Sequence, residues 1–228
     1  MNRDVSVLIY SCDKYSDAWG PFFELLFRYW DCPYQIYITA ETEQCLLPEV
    51  KTINTDAPTW TERIRSAAGE IQTKYIIGMC EDFFIRKPVK QYMIDSCEKN
   101  MDKFSNIACF NFEKDYDGAG KSAIELFGKK PAGHNFQKSC QPTLWRRSIL
   151  MELLDCKMDP WKWEDSETTE KYDFYIYTGN IEGLTFDYGL YERNPFGIVK
   201  GKWYGPDIRP LFEREGINVD LTKRGVIE

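Results

Sequence analysis

The sequence predicts an α/β fold with a mixed, mostly parallel central sheet flanked by helices, and three observations support this prediction. Short apolar segments of strand length alternate along the chain with segments of helical periodicity. The segment 75–79 is apolar almost throughout, which is typical of a strand covered on both faces. After residue 160 the pattern becomes irregular, and we expect this part to lie over the active edge of the sheet.

The individual elements follow from the periodicity of the apolar residues. Apolar or alternating runs predict strands at 5–10, 35–39, 50–54, 75–80, 106–112 and 174–177. A helix is expected to begin at Pro21, because proline is favoured at the first helical position. Helical spacing predicts further helices at 64–71, 89–101 and 149–154. The polar, glycine-containing segment 113–137 predicts a long loop.

Length and charge limit the classes of protein that the sequence can represent. With 228 residues, the chain fits a single domain at 1–228. The formal net charge is −7, and no run of lysine or arginine forms a stripe, which argues against nucleic acid as a partner. No apolar run approaches 18 residues, so we expect no transmembrane segment.

The cysteines indicate the chemical environment. The eight cysteines include no C-x-x-C pair, and the one histidine, His134, has no nearby partners for a zinc site. Several cysteines lie inside apolar segments, where they behave as small buried hydrophobic residues. The first residues lead directly into a strand without the pattern of a signal peptide. We therefore expect a reduced, cytoplasmic protein.

Two carboxylates end the apolar segment at 75–80. In an open α/β sheet, ligands bind just outside the carboxyl ends of the strands, and Glu81 and Asp82 occupy that position. Removing a carboxylate from water costs several kcal/mol unless a cation or a donor compensates. A metal or another cationic ligand is therefore one interpretation, and a strand end whose acids point into water is the other.

Four features in this order resemble GT-A-fold, nucleotide-sugar-dependent glycosyltransferases of bacterial polysaccharide biosynthesis, which build capsule, lipopolysaccharide and exopolysaccharide. They are the first strand followed by SCDK at 11–14, EDFF at 81–84, QPTLWR at 141–146, and DPWKWE at 159–164 with a later Gly-Lys. Together they span residues 5 to 203. The resemblance implies a nucleotide-binding half at about 1–112 and an acceptor-side half at about 138–228.

The resemblance also implies a set of nucleotide-binding residues. Such a fold holds the nucleoside at the carboxyl end of the first strand, which implicates Ser11, Asp13 and Tyr15. Asp13 would bond to the base or ribose and Tyr15 would stack on it, while Arg63 and Lys202 would contact the nucleotide and its diphosphate. A turn or capping role for Asp13 is an open alternative, and an exposed helical arginine is often only solvated.

The implied cofactor is Mn²⁺ or Mg²⁺ held by Asp82 and Glu81, which would neutralise the leaving diphosphate. The sequence departs from the Asp-x-Asp pattern of the family, since Cys80 replaces the first carboxylate. Side chains alternate along a strand, so Cys80 would share a face with Asp82, and Glu81 would point away unless the chain turns at once. Hard cations prefer oxygen to sulfur, and metal dependence therefore stays open.

An inverting glycosyltransferase needs a carboxylate base that faces the anomeric carbon. The resemblance implies Glu164 as this base, with Asp165 as the reserve. Trp161 and Trp163 would stack on the acceptor sugar, and Gln141 would be a further acceptor-side residue. In the alternative, Glu164 caps a helix and the tryptophans pack in the core.

The implied reaction moves a hexose from a nucleotide-diphosphate donor, expected to be a UDP-sugar, to a saccharide or lipid-linked saccharide acceptor with inversion. A lipid-linked acceptor would place the protein at the inner face of the membrane as a peripheral protein. A nucleotidyltransferase is one alternative, but it usually carries a glycine-rich loop after the first strand, and residues 11–15 contain no glycine. A non-catalytic carbohydrate-binding protein would keep the aromatic residues without needing the acids.

Overall fold

The computed structural model describes residues 4–114, 118–134, 136–167, 169–178 and 197–228. The strands are β1 (Val5–Tyr10), β2 (Gln35–Ala40), β3 (Val50–Asn54), β4 (Tyr75–Cys80), β5 (Ile107–Lys114), β6 (Phe127–Lys130), β7 (Thr143–Arg146), β8 (Asp173–Tyr177), β9 (Ile198–Val199), β10 (Lys202–Tyr204) and β11 (Val226–Ile227). The helices are α1 (Ser16–Tyr29), α2 (Trp60–Glu70), α3 (Gln91–Lys103), α4 (Arg147–Leu153), α5 (Pro160–Asp165) and α6 (Gly205–Glu215).

Eight of these strands form one sheet in the order β3-β2-β1-β4-β7-β5-β8-β6. Strands β6 and β7 run antiparallel to their neighbours, and the other pairs are parallel. The predicted fold class, a mixed and mostly parallel sheet flanked by helices, is therefore confirmed. Strands β1 and β4 are parallel neighbours, with Tyr10 opposite Cys80, so their carboxyl ends meet at one edge.

Two apolar layers cover the sheet because alternate side chains of each strand point to opposite faces. Along β1, Val7 and Ile9 belong to the layer that also holds α1, α3 and α6, which we call layer A. Leu8 and Tyr10 belong to the layer that also holds α2, α4 and α5, which we call layer B. The central strands are thus buried on both faces, as their apolar sequences predict.

Two local predictions were wrong. Helix α1 begins at Ser16, and Pro21 lies inside it; the lost N–H of proline removes one intrahelical hydrogen bond, which the extensive burial of this helix tolerates. The segment 113–137 is not only a loop, since β6 lies in it and pairs antiparallel with β8. The sequence of β6, FGKK, has little strand character, so its partner strand determines its conformation.

Gly78 in β4 marks a close approach between two neighbouring strands. A Cβ atom at this position would lie 1.8 Å from the hydroxyl oxygen of Tyr10 and 2.3 Å from its Cζ. The absence of a side chain therefore lets the Tyr10 ring lie across β4. This places the buried Tyr10 hydroxyl among the thiols of Cys80, Cys109 and Cys140 in layer B.

The C-terminal segment contains more regular structure than its sequence suggests. Strands β9, β10 and β11 form a small second sheet, and α6 packs its apolar face into layer A. Backbone hydrogen bonds join Trp203 to Gly225 and Tyr204 to Gly197. Within the described ranges, no helix is long and apolar enough to cross a membrane.

Candidate functional site

The loop after β1 is fixed by hydrogen bonds to β2 and α1. The backbone N–H of Ser11 donates to Thr39 Oγ1 at 2.9 Å, and the same Thr39 hydroxyl donates to the Ser11 carbonyl at 2.8 Å. The indole N–H of Trp19 donates to Ser11 Oγ at 2.7 Å. Ser11 is therefore buried and held firmly at the carboxyl end of β1.

Asp13 organises the loop that follows β2. Its carboxylate accepts hydrogen bonds from the backbone N–H groups of Glu41, Thr42 and Glu43 and from the Thr42 hydroxyl. These hydrogen bonds outweigh desolvation and lower the pKa of Asp13 to about 2. The carboxylate thus serves the turn role that was the alternative at this position, and it shapes the loop beside the candidate nucleoside pocket.

Arg63 of α2 faces the same loop. Its Nη1 lies 2.6 Å from Oε1 of Glu41, and the other oxygen of Glu41 accepts from the backbone N–H of Asp13 at 2.6 Å. Burial, then the charges of Glu81 and Glu41, raise the pKa of the Cys12 thiol, and the positive charge of Arg63 partly opposes this shift. Arg63 therefore borders the loop after β1, and Glu41, which the sequence analysis missed, joins the two.

Glu81 and Asp82 lie in a tight turn at the end of β4. The backbone N–H of Phe83 donates to the Cys80 carbonyl at 3.4 Å, so the chain turns at once and both acids approach one region. Burial, then repulsion from Asp82, raises the pKa of Glu81 well above its usual range, although Arg224 and the Ser11 hydroxyl oppose the shift. Burial likewise raises the pKa of Asp82 to about 6.

The C-terminal segment closes over these acids. The backbone N–H of Ile198 donates to Asp82 Oδ2 at 3.2 Å. Gly197 packs so tightly that a Cβ there would lie 2.4 Å from the Asp82 carbonyl oxygen. Small size at residue 197 is therefore required for β9 to reach the end of β4.

Arg224 is the cation of this site, and the sequence analysis missed it. Its guanidinium pairs with both carboxylate oxygens of Asp17, with Nε 2.9 Å from Oδ2. It lies over the rings of Tyr15 and Trp203, at 4.7 and 5.2 Å from their centroids, and its side chain is only 6% exposed. Its charge reaches Glu81 and Asp82 and lowers the pKa of each.

The two other nucleotide-binding candidates, Tyr15 and Lys202, differ in their surroundings. Tyr15 lies at the site, because burial and the charges of Glu81 and Asp82 raise the pKa of its hydroxyl. Lys202 begins β10 and is exposed, next in sequence to the buried Trp203 that stacks on Arg224. Lys202 thus lies on the same C-terminal sheet as the contacts to the acids.

Glu164 is held at the C-terminal half of α5. Its Oε1 accepts a hydrogen bond from the backbone N–H of Cys140 at 2.6 Å. Burial raises the pKa of Glu164, while the bonds from Cys140 and from the Ser139 hydroxyl partly oppose the shift. The negative charge of Asp82 also contributes to the raised pKa of the Cys140 thiol, although burial is the larger cause. Cys140 therefore lies between Glu164 and the acids at the end of β4.

The predicted acceptor-side residues do not share one environment. Trp163 is 0% exposed and packs between Trp60 and Trp145 in layer B, so the prediction that it stacks on a sugar is wrong. Trp161 is 70% exposed and available, and Asp165 is also exposed. The side chain of Gln141 accepts from the Ser139 hydroxyl at 3.1 Å. Trp161 is exposed and Trp163 is buried because the segment PWKWED forms helix α5, which was not predicted from the sequence.

Glu81 and Asp82 offer carboxylate oxygens, the ligand type that hard cations prefer. In the part of the chain that the structure describes, no three metal-ligating side chains cluster, so other ligands would have to come from water or substrate. Mg²⁺ is commonly bound in this way, by one or two carboxylates together with phosphate oxygens. A divalent cation bound by Glu81 and Asp82 would relieve the repulsion between them.

Sequence comparisons identify no relatives: no protein-family model matches the chain, and no curated protein matches it. Several solved structures are similar to this chain, but with low sequence identities and low TM-scores. Bifunctional IspDF from Campylobacter jejuni has 12% identity and a TM-score of 0.43 over 75% of this chain. TarS 1-349 from S. aureus has 12% identity and a TM-score of 0.44 over 76%. A 2-C-methyl-D-erythritol 4-phosphate cytidylyltransferase from Thermus thermophilus has 11% identity and a TM-score of 0.47 over 82%.

The chain spans 52% of the IspDF chain, 60% of the TarS chain and 94% of the cytidylyltransferase chain. With identities and TM-scores this low, no reaction, ligand or partner transfers from these proteins.

Replacing Asp82 with asparagine should stabilise the metal-free protein at neutral pH. The raised pKa of about 6 means that the folded state keeps a proton that the unfolded state releases above about pH 4. Stability is therefore lost as the pH rises from about 4 to 6. Asp82→Asn cannot ionise, and its amide oxygen can still accept from Ile198, so we expect a gain on the order of 2 kcal/mol at pH 7 and none near pH 3.

Urea unfolding in the presence of a chelator, at a series of pH values, measures this difference. Asp31→Asn, the same substitution at an exposed position, is the matched control. A gain of the same size at pH 3 and pH 7 would contradict the ionisation argument.

Replacing Arg224 with methionine should destabilise the fold more than the loss of a surface pair does, because the Arg224 and Asp17 side chains are only 6% and 19% exposed. Breaking a fully buried pair costs roughly 3 kcal/mol, and we expect this partly buried pair to cost less than that. Arg209→Met is the matched control, since Arg209 pairs with Glu228 at 2.5 Å on the surface, where a pair contributes about 1 kcal/mol or less. Urea unfolding of both variants compares their free energies of unfolding. Equal decreases would show that the pair of Arg224 with Asp17 stabilises the fold no more than a surface pair does.

Proposed function

We propose that the protein is a nucleotide-sugar-dependent glycosyltransferase that moves a hexose from a nucleotide-diphosphate donor, a UDP-sugar, to a saccharide or lipid-linked saccharide acceptor with inversion. One observation carries the proposal. The buried Glu81 and the half-buried Asp82 at the carboxyl end of β4 face the loop after β1, and a third, half-buried acid, Glu164, stands apart from them behind Cys140. Sugar transfer needs one group that neutralises the charge of the leaving diphosphate and a separate group that accepts the proton of the acceptor hydroxyl.

The first group suits the donor. Ser11 and Tyr15 lie at the carboxyl end of β1, beside Glu81 and Asp82, where an α/β sheet binds its ligands. A Mn²⁺ or Mg²⁺ ion on these acids would supply positive charge to the diphosphate as it leaves. The protein's own cation, Arg224, adds fixed positive charge behind them.

The second group suits the acceptor. An inverting transfer forms a bond between the acceptor oxygen and the anomeric carbon while the bond to the diphosphate oxygen breaks, and the hydroxyl proton must move to a base. Burial raises the pKa of Glu164, which makes its carboxylate a better proton acceptor near neutral pH. The exposed ring of Trp161, one turn away on the same helix, offers a surface on which a sugar ring can stack.

The loop after β1 favours this reaction over nucleotidyl transfer. Residues 11–15 contain no glycine, and Asp13–Tyr15 form a 3-10 turn whose Asp13 is engaged by the loop after β2. A backbone cradle for a triphosphate has no counterpart in these residues. We further propose that the acceptor belongs to bacterial polysaccharide synthesis, such as capsule or lipopolysaccharide, at the cytoplasmic face of the membrane.

Nucleotide binding is the first test. UDP is expected to raise the melting temperature more than CDP, GDP or ADP, and Mn²⁺ or Mg²⁺ should increase the shift. Ligand at a hundredfold excess over its dissociation constant stabilises a protein by about 2.7 kcal/mol. Asp82→Asn should lose the metal-dependent part of the shift, whereas Asp31→Asn should keep it.

Product analysis then distinguishes the reactions. A glycosyltransferase releases UDP from a UDP-sugar, and a nucleotidyltransferase releases pyrophosphate from a nucleoside triphosphate and a phosphorylated substrate. No shift with any nucleoside diphosphate would reject the enzyme, and pyrophosphate release would replace the proposed reaction with nucleotidyl transfer.

Replacing Glu164 with glutamine should slow sugar transfer by roughly 10²- to 10⁴-fold, the usual contribution of a positioned base. Glutamine keeps an oxygen that can accept from the Cys140 N–H but cannot take the acceptor proton. The UDP-induced shift should be unchanged, since the base acts on the acceptor. Steady-state rates per folded molecule measure the loss.

Asp165→Asn is the matched control for this variant, because Asp165 is the exposed neighbour on the same short helix. It should transfer at nearly the wild-type rate. If Glu164→Gln keeps its rate while Asp165→Asn loses it, the base is Asp165; if neither variant loses activity, the base lies elsewhere.

A further inference from the structure

Four buried residues just before β7 hold the segment that carries Glu164. These residues, 137–140, which we call the clamp, contact residues 164–169 through hydrogen bonds. The two segments run in opposite directions, since the first clamp residue binds residue 169 and the last binds Glu164. The bonded residues lie 24 to 32 positions apart in the chain, so only the folded protein brings them together.

The side chain of Gln137 bonds to Thr169 in the way that a neighbouring strand would. Its Oε1 accepts from the backbone N–H of Thr169 at 2.8 Å, and its Nε2 donates to the Thr169 carbonyl at 3.0 Å. Gln137 is buried, and a buried amide with both ends bonded holds its partner in one position. The chain that follows α5 is therefore fixed at Thr169.

Lys138 reaches the C-terminal end of α5. Its ammonium donates to the Ser166 hydroxyl and to the Glu167 carbonyl, the latter at 3.0 Å. The Ser166 hydroxyl in turn donates to the Trp163 carbonyl at 2.8 Å, and the ammonium lies 5.9 Å from the centroid of the Trp163 ring. Lys138 is thus joined to the residues on either side of Glu164.

Burying the Lys138 ammonium has an energetic cost. Both oxygens that it binds belong to neutral groups, and the residue is 6% exposed. Burial lowers the pKa of the amine, although the Cys156 thiol and the charge of Glu167 partly oppose the shift. An apolar side chain can fill such a space at lower cost, but only directional hydrogen bonds hold the end of α5 in a single orientation.

We propose that Lys138 is a positioning residue for sugar transfer, which holds the Glu164 carboxylate in place at the acceptor hydroxyl through Ser166 and the end of α5. The inference rests on the proposed function, in which Glu164 is the base. The backbone N–H of Cys140, the last clamp residue, binds Oε1 of Glu164 at 2.6 Å, so the clamp holds both the carboxylate and its helix. A base must lie within hydrogen-bond reach of its proton, and a displacement of about 1 Å can cost roughly a hundredfold in rate.

Lys138→Met tests the role, because methionine has a similar length and no hydrogen-bond donor. The rate per folded molecule is UDP release from UDP-glucose, UDP-galactose or UDP-N-acetylglucosamine with methyl glucoside as the acceptor. We expect kcat to fall roughly 10- to 100-fold, with KM for the donor and the UDP-induced melting shift unchanged, since the donor binds beside the acids after β4. Lys171→Met is the matched control at an exposed lysine that pairs with Glu152 at 2.6 Å, and it should keep the wild-type kcat.

The double variant with Glu164→Gln distinguishes positioning from a general disturbance of the fold. If Lys138 acts through the Glu164 carboxylate, adding Lys138→Met to Glu164→Gln should lower kcat by no more than about twofold, because the effects of coupled residues do not add. If Lys138→Met does not fold, Ser166→Ala takes its place in both backgrounds, since it removes only the hydroxyl that joins Lys138 to the Trp163 carbonyl.

The proposal is overturned if the Lys138 variant, or Ser166→Ala in its place, keeps the wild-type kcat. It is also overturned if the variant slows the reaction by the same factor with and without the Glu164 carboxylate. A wild-type protein that releases no UDP from any of the three donors, or a Glu164→Gln variant that keeps its rate, rejects the proposed function instead, and the role of Lys138 is rejected with it.

Discussion

The partly buried pair of Arg224 and Asp17 is the interaction on which the arrangement of the site depends. It joins two residues that lie 207 positions apart in the chain, one on the first helix and one near the C-terminus. Because each charge would be costly alone in this setting, the pair forms only when the C-terminal segment lies against the loop after β1. The rings of Tyr15 and Trp203 then enclose the guanidinium from two elements.

The same guanidinium contributes to keeping the buried Glu81 and the half-buried Asp82 together at the end of β4. Glu81 and Asp82 lose hydration and repel each other, and the compensation comes from Arg224, the Ser11 hydroxyl and the backbone N–H of Ile198. This compensation is incomplete, since the pKa of each acid stays raised.

A single strand pair connects the acids after β4 to the segment that holds Glu164. Strand β4 ends at Cys80, directly before the two acids, and its neighbour β7 follows Cys140, whose backbone N–H donates to Glu164. The Tyr10 ring, lying across Gly78, fills the space beneath both strands. Substitutions at this pair of strands are therefore expected to affect both halves of the site together.

The sequence by itself determined the fold class and the place of the central acids. The apolar segment of β4 and the two carboxylates after it are local in the chain, and strand alternation and burial are local signals that a sequence carries. Only the tertiary structure decided the rest. Arg224 has no motif around it, β6 becomes a strand through its partner, and Trp163 is buried while Trp161 is exposed. These outcomes depend on contacts between distant residues, whose energies no local pattern records.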